Sequence, residues 1–381
     1  MNVLHAPFNI GSQASSLSDA ENAVRREAGS RGRSWSVDFE PGSRYSAATE
    51  VFRAPDGWAG TLHRALRPLL YGLRHAAEFR TLHLYSGRSL IRCEGRFGLL
   101  DRRDLPLWKA LGKTIFVTFQ GCEVRFREPS SQRPFSPCRP GVCDIAACDA
   151  AFETRARRWA DTLMRWADKA FCVNPDLIAH VPKAEFLPYV ALSTTLPEPR
   201  PKARRAPPVM VHAPTNRSVK GTEFLLAAAE SLRVTHPHEL RLVEGLPRDR
   251  ALEAYAEADI LVDQLRLGWY GALAVEAMAR GVPVVAYLDE DDLGRIPPQM
   301  RAELPIVNAS PATLPAALAR LLEDAGLREE LGRRGRQFVR RWHHPMKIAR
   351  RMLQLYSDPP QSFWAGYDPE DNRRSLARAI A

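Results

Sequence analysis

The sequence has no apolar stretch that approaches the roughly 18 residues that a helix needs to span a bilayer. No short apolar segment follows a charged start, and the opening MNVLHAP already has the pattern of a strand, so we expect no signal peptide. Acidic residues are also few, since 44 Asp and Glu stand against 54 Lys and Arg, for a net charge of +10. These features predict a soluble cytoplasmic protein with an anionic partner, which is a phosphorylated ligand, a nucleic acid or an anionic membrane face.

Cysteine is scarce and confined to the first half of the chain. The cysteines are Cys93, Cys122, Cys138, Cys143, Cys148 and Cys172. Without a secretory signal we expect them to be reduced thiols. In CRPGVCDIAAC three of them are spaced five residues apart, whereas zinc knuckles use closer pairs, so ordinary packing is favoured over a metal or redox site. The scattered histidines show no ligand spacing either, and we expect no metal.

The chain has 381 residues, which is too long for one ordinary core and suits two domains. Short apolar runs alternate with helical patterns. In the first half the predicted strands are NVLH, SWSVDF, TLHLYS, KTIFVTFQG and KAFCVNP. The helix in SDAENAVRREAG is predicted to start at a capping box of Ser18 and Glu21 and to stop at Gly29. This β-then-α order predicts a parallel sheet covered on both faces.

A second α/β series follows a stretch rich in Pro and Arg. Its predicted strands are VMVHAP, ELRLVEG, ADILVDQ, VPVVAY and LPIVNA. We therefore predict an α/β fold of two doubly wound, Rossmann-like domains that face each other across a cleft. The predicted parts are residues 1–192, a linker at 193–207, residues 208–345, and at 346–381 a C-terminal helix that crosses back and a polar tail, part of which we expect to be loosely ordered. In open parallel sheets ligands bind at the carboxyl ends of the strands, so the site is expected there.

A short loop with two cations follows the first strand of the second domain. In VHAPTNRSVKGTEFLL, Arg217 and Lys220 lie between the strand that ends at Pro214 and a helix that we expect Thr222 to cap. The amides and positive dipole end of that helix favour an anion, to which Arg217 would add a planar fork and Lys220 a point charge. A solvated surface loop is the alternative, and the strand–loop–helix context favours phosphate binding.

The stretch ADILVDQLRLGWYGALAVEAMARGVPVVAY is a second candidate. It predicts a strand, a loop, a short helix that stops at Gly281 and another strand. Glu276 lies on the otherwise apolar helix, where its carboxylate can accept two hydroxyl hydrogen bonds, as a ribose diol offers; a capping or surface role is the alternative. Backbone amides around Gly271 and Ala272 could meet a phosphate oxygen at the helix start. His212, at the end of its strand, either touches the ligand or is packed.

Together these stretches resemble the retaining glycosyltransferases of the GT-B fold, close to glycosyltransferase family 4. EAMARGVPVVAY is similar to the family's donor-site helix and strand, and NRSVKGTEFLL to the loop that holds its Arg and Lys. NIGSQASSLSDAENAVRREAG resembles the family's first loop and helix, and VTFQGCEVR its FHGSD-like segment. The resemblance spans about Asn2 to Tyr356. It implies a nucleotide-sugar donor on the C-terminal domain, a carbohydrate, lipid-linked or other hydroxyl acceptor mainly on the N-terminal domain, and no metal or other cofactor, because protein cations replace the ion on the diphosphate.

The resemblance also implies roles for individual residues. Arg217 and Lys220 would grip the diphosphate and stabilise it as it leaves, which makes them the catalytic candidates. Glu276 would bind the ribose hydroxyls. The acceptor-side candidates are Gln120 and Glu123. The complete set of donor-site candidates is Gly11, Ser12, His212, Asn216, Arg217, Lys220, Gly221, Asp263, Gln264, Trp269, Tyr270, Gly271, Ala272 and Glu276.

Three positions depart from the family's pattern. Gly268 stands where the family usually carries a first Glu that touches the sugar hydroxyls, so the donor hexose must be held otherwise. The candidates for that role are Asp263, Gln264, Trp269 and Tyr270. The two aromatic rings could stack on a sugar or base, although packing is the more common role of aromatic side chains in loops. Gln120 replaces the histidine of FHG and can hydrogen-bond but not carry charge. Glu244, in EGLP, replaces a glycine-rich turn, and the whole pattern indicates a divergent branch.

Two further features of the sequence are candidates for interaction surfaces, a basic amphipathic helix and several basic runs. The stretch GWAGTLHRALRPLLYGLRHAAEF predicts a basic amphipathic helix with an apolar stripe at Trp58, Leu62, Leu66, Leu69, Leu70 and Leu73. Such a helix can lie on an anionic membrane as a peripheral contact, although packing on its own sheet is favoured. Basic runs such as GRRGRQFVRRW lack the aromatic-studded motifs of nucleic-acid-binding proteins, so solvated surface is favoured.

Three functions remain open from the sequence. The first is a glycosyltransferase; the second is another GT-B enzyme on a nucleotide sugar, such as an epimerase; the third is a catalytically idle relative that binds a partner. An epimerase would need well-placed acid and base carboxylates, and an idle relative would bind no nucleotide.

Overall fold

The computed structural model describes residues 1–39, 48–52, 57–91, 101–145, 148–198, 207–246 and 248–371, with the backbone alone at 57–65 and 248–249. Cys93, the side chains of Trp58 and Leu62, and most of the predicted linker lie outside this part. The chain forms two compact units. The first contains Met1–Phe126, Asp149–Thr194 and His344–Ala381, and the second contains Arg127–Cys148 and Thr195–His343.

The unit boundaries differ from those predicted at one place in the first half. The sequence predicts a continuous domain over residues 1–192, whereas Arg127–Cys148 belongs to the second unit. Over its described residues, 127–145 and 148, this segment contains one short helix and otherwise turns and irregular chain. It has no hydrophobic periodicity that would assign it to a core, so the sequence pattern does not mark it as a separate piece.

The elements alternate along the chain as predicted. The strands are β1 Val3–Ala6, β2 Ser34–Asp38, β3 Glu50–Val51, β4 Thr81–Tyr85, β5 Thr114–Phe119, β6 Lys169–Cys172, β7 Glu185–Phe186, β8 Val209–His212, β9 Glu239–Leu242, β10 Ile260–Val262, β11 Val284–Ala286 and β12 Val307–Asn308. The helices are α1 Gln13–Glu27, α2 Gly57–Arg74, α3 Leu105–Ala110, α4 Arg127–Ser131, α5 Ala150–Trp166, α6 Arg217–Lys220, α7 Thr222–Leu232, α8 Arg248–Glu257, α9 Ala272–Ala279, α10 Glu290–Leu293, α11 Pro298–Glu303, α12 Leu314–Glu323, α13 Ala325–Trp342 and α14 Pro345–Ser357.

The described strands of the first unit form a seven-stranded sheet in the order β3-β2-β1-β4-β5-β6-β7. Every pair is parallel, and Leu4 of the interior strand β1 lies opposite Trp35 on one side and Leu82 on the other. All of these strands except the short β3 and β7 were predicted from their apolar runs. A parallel sheet buried on both faces needs such continuous runs, and for this reason they are legible in the sequence.

Helix α1 begins earlier than its sequence pattern predicts. Its first residue is Gln13, and Ser18 lies buried inside the helix, where its hydroxyl donates to the carbonyl of Ser15 at 3.0 Å. Glu21 is fully buried and accepts a hydrogen bond from Tyr356 Oη at 2.9 Å. The predicted capping box is therefore wrong, because its two side chains serve the interior of the unit rather than a helix end.

Helix α14 packs on the first unit, together with the chain that follows it. Its buried apolar side chains share a cluster with Val3, Leu17 and Phe116. Phe363, beyond the helix, is fully buried in the same cluster, and Lys347 donates to the carbonyl of Pro369. The tail is thus packed at these positions, and its last ten residues lie outside the described part, so the expectation that part of the tail is loosely ordered stays a prediction.

The described strands of the second unit form a five-stranded parallel sheet in the order β12-β11-β10-β8-β9. Helices α7 and α12 supply Leu225, Leu232, Leu314 and Leu318 to its core. Helix α13 packs very closely on α9, since a Cβ at Gly335 would lie 3.2 Å from the Met278 side chain. Both units thus have the doubly wound form predicted from the sequence.

Helix α2 carries an apolar stripe that is only partly covered. Leu69 packs against the core, whereas Leu66, Leu70 and Leu73 are 37, 61 and 40% exposed. The favoured prediction that the stripe packs on its own sheet therefore holds for only part of it. In the described ranges, no helix combines the length and the apolarity that crossing a bilayer would take.

Candidate functional site

The carboxyl ends of three neighbouring strands define the candidate site in the second unit. His212 of β8 pairs with Val262 of β10, and Val262 pairs with Val285 of β11, so the three strands end at one edge of the sheet. The loops that follow them carry most of the predicted donor residues. In open parallel sheets this edge is where ligands bind.

Lys220 is anchored at this edge by a buried carboxylate. Its Nζ lies 2.8 Å from Asp263 Oδ1, and the side chains are 13 and 0% exposed. The second oxygen, Oδ2, accepts the Gly271 amide at 2.6 Å, while Gln264 Nε2 donates to the Trp269 carbonyl at 3.0 Å. The predicted residues therefore come together, but both oxygens of Asp263 have protein partners. Asp263 and Gln264 brace Lys220 and the loop, and the Gly271 amide does not point at a phosphate.

Arg217 forms an ion pair with Glu244, which the sequence analysis did not predict. The guanidinium is 57% exposed and binds Glu244 through two nitrogens, with Nε 2.8 Å from Oε1. The hydrogen bonds and charge of this pair raise the pKa of Arg217 and lower that of Glu244. The Asn216 side chain caps α6 by accepting the Val219 amide at 2.9 Å, and its contact with the donor stays a prediction.

Gly221 joins α6 to α7 and must be glycine. Its φ is +74°, and a Cβ would lie 3.1 Å from Leu265 Cβ. Helix α7 begins at Thr222 itself, with Gly221 at the cap position, and no side chain caps it. The Thr222 hydroxyl bonds His212 Nε2 at 2.9 Å instead, so the predicted Thr222 cap is wrong.

His212 is a packed histidine. It is buried, and its Nδ1 lies 2.8 Å from the carbonyl of Val262, with Thr222 on the other ring nitrogen. Burial lowers its pKa, so the ring is neutral at pH 7. Of the two roles that the sequence left open, the structure supports packing, and a contact of His212 with the donor stays a prediction.

Trp269 and Tyr270 are interior residues in this structure. Both are fully buried, and their rings stack on each other with centroids 4.4 Å apart. Tyr270 Oη also lies 2.9 Å from His343 Nε2. The loop turns both rings into the interior, in agreement with the packing alternative, and a contact of either ring with a sugar or base stays a prediction.

Ala272 and Glu276 lie where the sequence predicts, on α9. Ala272 is the first residue of the helix, and Glu276 is buried one turn later, with 8% of its surface exposed. Gly281 has a φ of +75° just beyond the helix end, as predicted. The ribose contact of Glu276 stays a prediction.

A polar cluster lies at the corresponding edge of the first unit. Gln120 follows β5; its Nε2 lies 3.3 Å from the Ile10 carbonyl, and its Oε1 accepts from Ser86 Oγ at 2.5 Å. The backbone N–H of Gln120 donates to Glu123 Oε1. Gly11 and Ser12, between β1 and α1, both have positive φ, +61 and +59°. The four residues predicted in this half, Gly11, Ser12, Gln120 and Glu123, thus belong to neighbouring loops.

The segment Arg127–Cys148 supplies residues that the sequence reasoning missed. Asp144 Oδ1 accepts from Asn216 Nδ2 at 2.7 Å and from Ser218 Oγ at 3.0 Å, and these hydrogen bonds lower the pKa of Asp144. Arg133 pairs with Asp292. No spacing rule links residues that lie 70 to 160 positions apart, so no sequence signal could have found these contacts. Within the described residues, no group of three or more His, Cys, Asp or Glu is arranged to hold a metal ion.

The comparisons with known proteins agree with this architecture. Residues 210–354 match a protein-family model described as glycosyl transferase-like. No curated protein sequence matches the chain. Sucrose-phosphate synthase from Thermosynechococcus elongatus superposes with a TM-score of 0.61 at 16% identity, over 94% of this chain and 98% of that one. Anabaena HepE, solved in complex with UDP and glucose, gives a TM-score of 0.57 at 13% identity, over 94% of this chain and 99% of that one.

A third similar structure is a Listeria monocytogenes protein described as a UDP-N-acetylglucosamine 2-epimerase, with a TM-score of 0.52, 12% identity, and coverage of 97% of this chain and 99% of that one. At such identities these likenesses show the fold alone, which is GT-B. The family match adds that residues 210–354, less than half of the chain, are glycosyl transferase-like. The resemblance read from the sequence is confirmed to that extent.

Proposed function

We propose that this protein is a retaining glycosyltransferase that moves a sugar from a nucleoside-diphosphate sugar to a hydroxyl acceptor without a metal ion or other cofactor. The observation that carries the proposal is the position of Lys220. Its ammonium lies at the carboxyl edge of the sheet in the glycosyl transferase-like domain, held 2.8 Å from the buried Asp263. A cation fixed in this way, at the edge where open sheets bind ligands, suits a diphosphate.

The donor would be held by groups on the loops at this edge. Lys220 has three donors, and Asp263 takes one, so others remain for phosphate oxygens. Arg217 is exposed and can turn its fork to the diphosphate by releasing Glu244. Ala272 starts α9 and would offer its amide, and Glu276 would accept the ribose hydroxyls. The HepE complex contains UDP, which supports a nucleoside diphosphate as the leaving group.

The reaction would proceed on one face of the donor sugar. The acceptor oxygen forms a bond to the anomeric carbon while the bond to the diphosphate breaks, and the electron pair leaves with the diphosphate. A phosphate oxygen takes the proton of the acceptor hydroxyl. Lys220 and Arg217 stabilise the charge that develops on the leaving group. Gln120 and Glu123 are the proposed contacts of a carbohydrate or lipid-linked acceptor.

The test is calorimetric binding of UDP, GDP, ADP and dTDP, followed by turnover of the matching nucleotide sugar. Lys220→Ala is expected to weaken binding by roughly tenfold or more, because charge-assisted hydrogen bonds in sheltered sites are strong. Arg217→Ala should weaken it less, since its guanidinium is exposed. Lys109→Ala is the matched control, because Lys109 also pairs with an aspartate at 2.8 Å but lies in the first unit. If Lys220→Ala and Arg217→Ala bind as the wild type does, the phosphate assignment is wrong.

Two finer points have their own measurements. NMR of the product should show that the anomeric configuration of the donor is retained, and turnover should persist in EDTA. An inverted product would exclude the proposed mechanism, and loss of turnover in EDTA would exclude metal independence.

A GT-B epimerase is the second candidate, favoured by the likeness to the Listeria protein. Incubation of the nucleotide sugar without an acceptor separates the two functions, because an epimerase converts it and a transferase leaves the sugar unchanged or hydrolyses it slowly. A chain that binds no nucleotide would be the idle relative. The cytoplasmic location and the peripheral membrane contact predicted from the sequence stay predictions.

A further inference from the structure

We propose that the segment Arg127–Cys148, called the arm below, is part of the nucleotide-binding site of the second unit, and that the ion pair of Arg133 with Asp292 fixes it there. The arm is continuous in sequence with the first unit but belongs by its contacts to the second. The inference rests on the proposed function, because it names further residues of the same site.

The arm contacts the loops after all three strands that define the candidate site. After β8, Asn216 Nδ2 donates to Asp144 of the arm at 2.7 Å. After β10, Arg266 Nη1 donates to the carbonyl of Phe135 at 3.1 Å. After β11, the Tyr287 ring meets the Phe135 ring edge to face, with centroids 5.2 Å apart. These contacts lay the arm along the edge where an open parallel sheet binds its ligand.

Arg133 makes the strongest of these contacts. Its Nη1 lies 3.1 Å from Asp292 Oδ1, its Nη2 binds Oδ2 of the same carboxylate, and Nη2 is 3.4 Å from Asp289. The Asp292 side chain has no exposed surface, and that of Arg133 is 22% exposed. A buried carboxylate is costly without a cationic partner, and a two-pronged guanidinium contact also fixes direction. The pair therefore holds the arm in one orientation.

Gly268 shows how closely the arm approaches the loop after β10. A Cβ at this position would lie 2.7 Å from Arg133 Nη2 and 2.8 Å from Asp289 Cβ, and the φ of Gly268 is +78°. A side chain at 268 and the docked arm would therefore occupy the same space. The same loop carries Asp263 and Gly271, so the arm lies beside the group that anchors Lys220.

The other end of the arm acts on the loop that carries the two cations. Asp144 holds Asn216, and the Asn216 side chain caps α6, the turn that contains Arg217 and Lys220. Asp144 is exposed, so this contact alone would be weak. With Arg133 as the anchor, the arm spans the site from the loop after β8 to the loop after β11. Arg133 and Asp144 are thus positioning residues, and neither takes part in the bond changes.

The test compares two arginines that bind the same carboxylate. Arg295 Nη1 lies 3.0 Å from Asp292 Oδ1, much as Arg133 Nη1 does, but Arg295 lies outside the arm. Binding of UDP, GDP, ADP and dTDP is measured for the full-length wild type, Arg133→Met and Arg295→Met. Arg133→Met is expected to raise the dissociation constant of the diphosphate that binds by about five- to thirtyfold, and Arg295→Met to change it little. Arg133→Lys should recover part of the loss, since an ammonium can reach one oxygen but not both.

A second measurement follows the arm itself. The arm contains three half-buried cysteines, Cys138, Cys143 and Cys148, whereas Cys122, which is exposed, and Cys172, which is buried, lie in the first unit. Alkylation rates are read for each thiol by mass spectrometry of its peptide. In Arg133→Met the rates of Cys138 and Cys143 should rise, while those of Cys122 and Cys172 should not, and UDP or the binding diphosphate should slow Cys138 and Cys143 in the wild type. If the alkylation rate of Cys172 also rises in Arg133→Met, the variant is generally unfolded. Arg133→Lys then takes the place of Arg133→Met in the comparison of diphosphate binding.

The outcomes separate this inference from the proposed function. If the wild type binds a diphosphate and Arg133→Met binds it equally well, the arm is not part of the site, although the function stands. If Arg295→Met weakens binding as much as Arg133→Met does, the effect belongs to Asp292 rather than to the arm, and the inference fails. If the wild type binds none of the four diphosphates, the proposed function fails, and the arm's role in binding fails with it.

Discussion

In the absence of a ligand, the guanidinium of Arg217 is paired with the carboxylate of Glu244. The two side chains form a two-pronged ion pair, and the pair lowers the pKa of the Glu244 carboxyl, so that the carboxylate stays charged at neutral pH. The cation predicted to grip the diphosphate is therefore already neutralised by a neighbour. Under the proposed function, a diphosphate would have to exchange for this carboxylate, so we predict that Glu244 competes with the ligand rather than contacts it.

Replacing Glu244 by Gln should tighten the binding of a nucleoside diphosphate. Since both partners are exposed, the effect should be modest, up to about fivefold in the dissociation constant of UDP or the preferred diphosphate. The gain should shrink as salt is added, because exposed charges are screened. Glu239→Gln is the matched control, as Glu239 forms an exposed ion pair with Arg241 on the preceding strand β9. Weaker binding by Glu244→Gln would mean that Glu244 instead holds Arg217 in its working position.

His83 is a buried histidine whose hydrogen bonds require a neutral ring. Tyr356 Oη donates to Glu21 at 2.9 Å, so at the 2.8 Å contact with His83 the tyrosine oxygen accepts from Nδ1–H. The other nitrogen, Nε2, then accepts from Thr118 Oγ1 at 2.7 Å. Burial, helped by the nearby His5, holds the pKa of His83 well below its ordinary 6.5. The folded first unit thus keeps this ring unprotonated where an unfolded chain would protonate it.

This difference predicts that the first unit loses stability as the pH falls below about 6.5. The unfolded chain then binds a proton at His83 that the folded chain refuses, which favours unfolding by at most about 1.4 kcal/mol per pH unit. Thermal unfolding between pH 7.5 and 5 is the measurement. His83→Gln should flatten the profile over this range, whereas His75→Gln, at a more exposed position, should leave it steep. An equally steep profile for His83→Gln would place the pH dependence elsewhere.

At the scale of elements, the sequence predicts the strands that have continuous apolar runs, and it misses the exact start of α1 and the short turn α6. The central strands of both sheets were predicted because strands buried on both faces must be continuous apolar runs. The start of α1 was missed because Ser18 and Glu21 fit a capping box equally well as buried polar residues. The turn α6 was missed because four residues are too few to show a period.

In the candidate site, too, some residues were predicted from the order of elements, and others were missed because they depend on loop geometry. Lys220, Asp263 and Gly271 come together because parallel strands end at one edge, which the order of elements already implies. The aromatic rings of Trp269 and Tyr270 turn inward, and their direction depends on loop geometry that no periodicity records. The acidic partner of Arg217 and the arm were missed for the same reason, since both depend on contacts between distant loops.

At the scale of the whole molecule, neither unit is one continuous stretch of chain. The second unit takes its arm from the first half of the sequence, and the first unit takes α14 from the end. Helix α14 buries Ile348, Met352, Leu355 and Tyr356 almost completely in the core of the first unit. The amino-terminal half alone therefore lacks part of its own core, although it contains every described strand of its sheet.

Deletion of residues 344–381 should consequently unfold the first unit. Burial of four such side chains stabilises a core by roughly 6–12 kcal/mol, which is comparable to the whole stability of a typical domain. Tyr356 also holds Glu21 and His83, and these two polar groups would be left buried without that partner.

A chain of residues 1–371 is the control, because it keeps α14 and the packed Phe363. Alkylation of Cys172, fully buried on β6, reports on the first unit, and alkylation of Cys143 reports on the second. In the chain of residues 1–343, Cys172 should react at the rate of an unfolded thiol, while in 1–371 it should stay protected. Protection of Cys172 in both chains would mean that the sheet and α1 suffice to hold the first unit together.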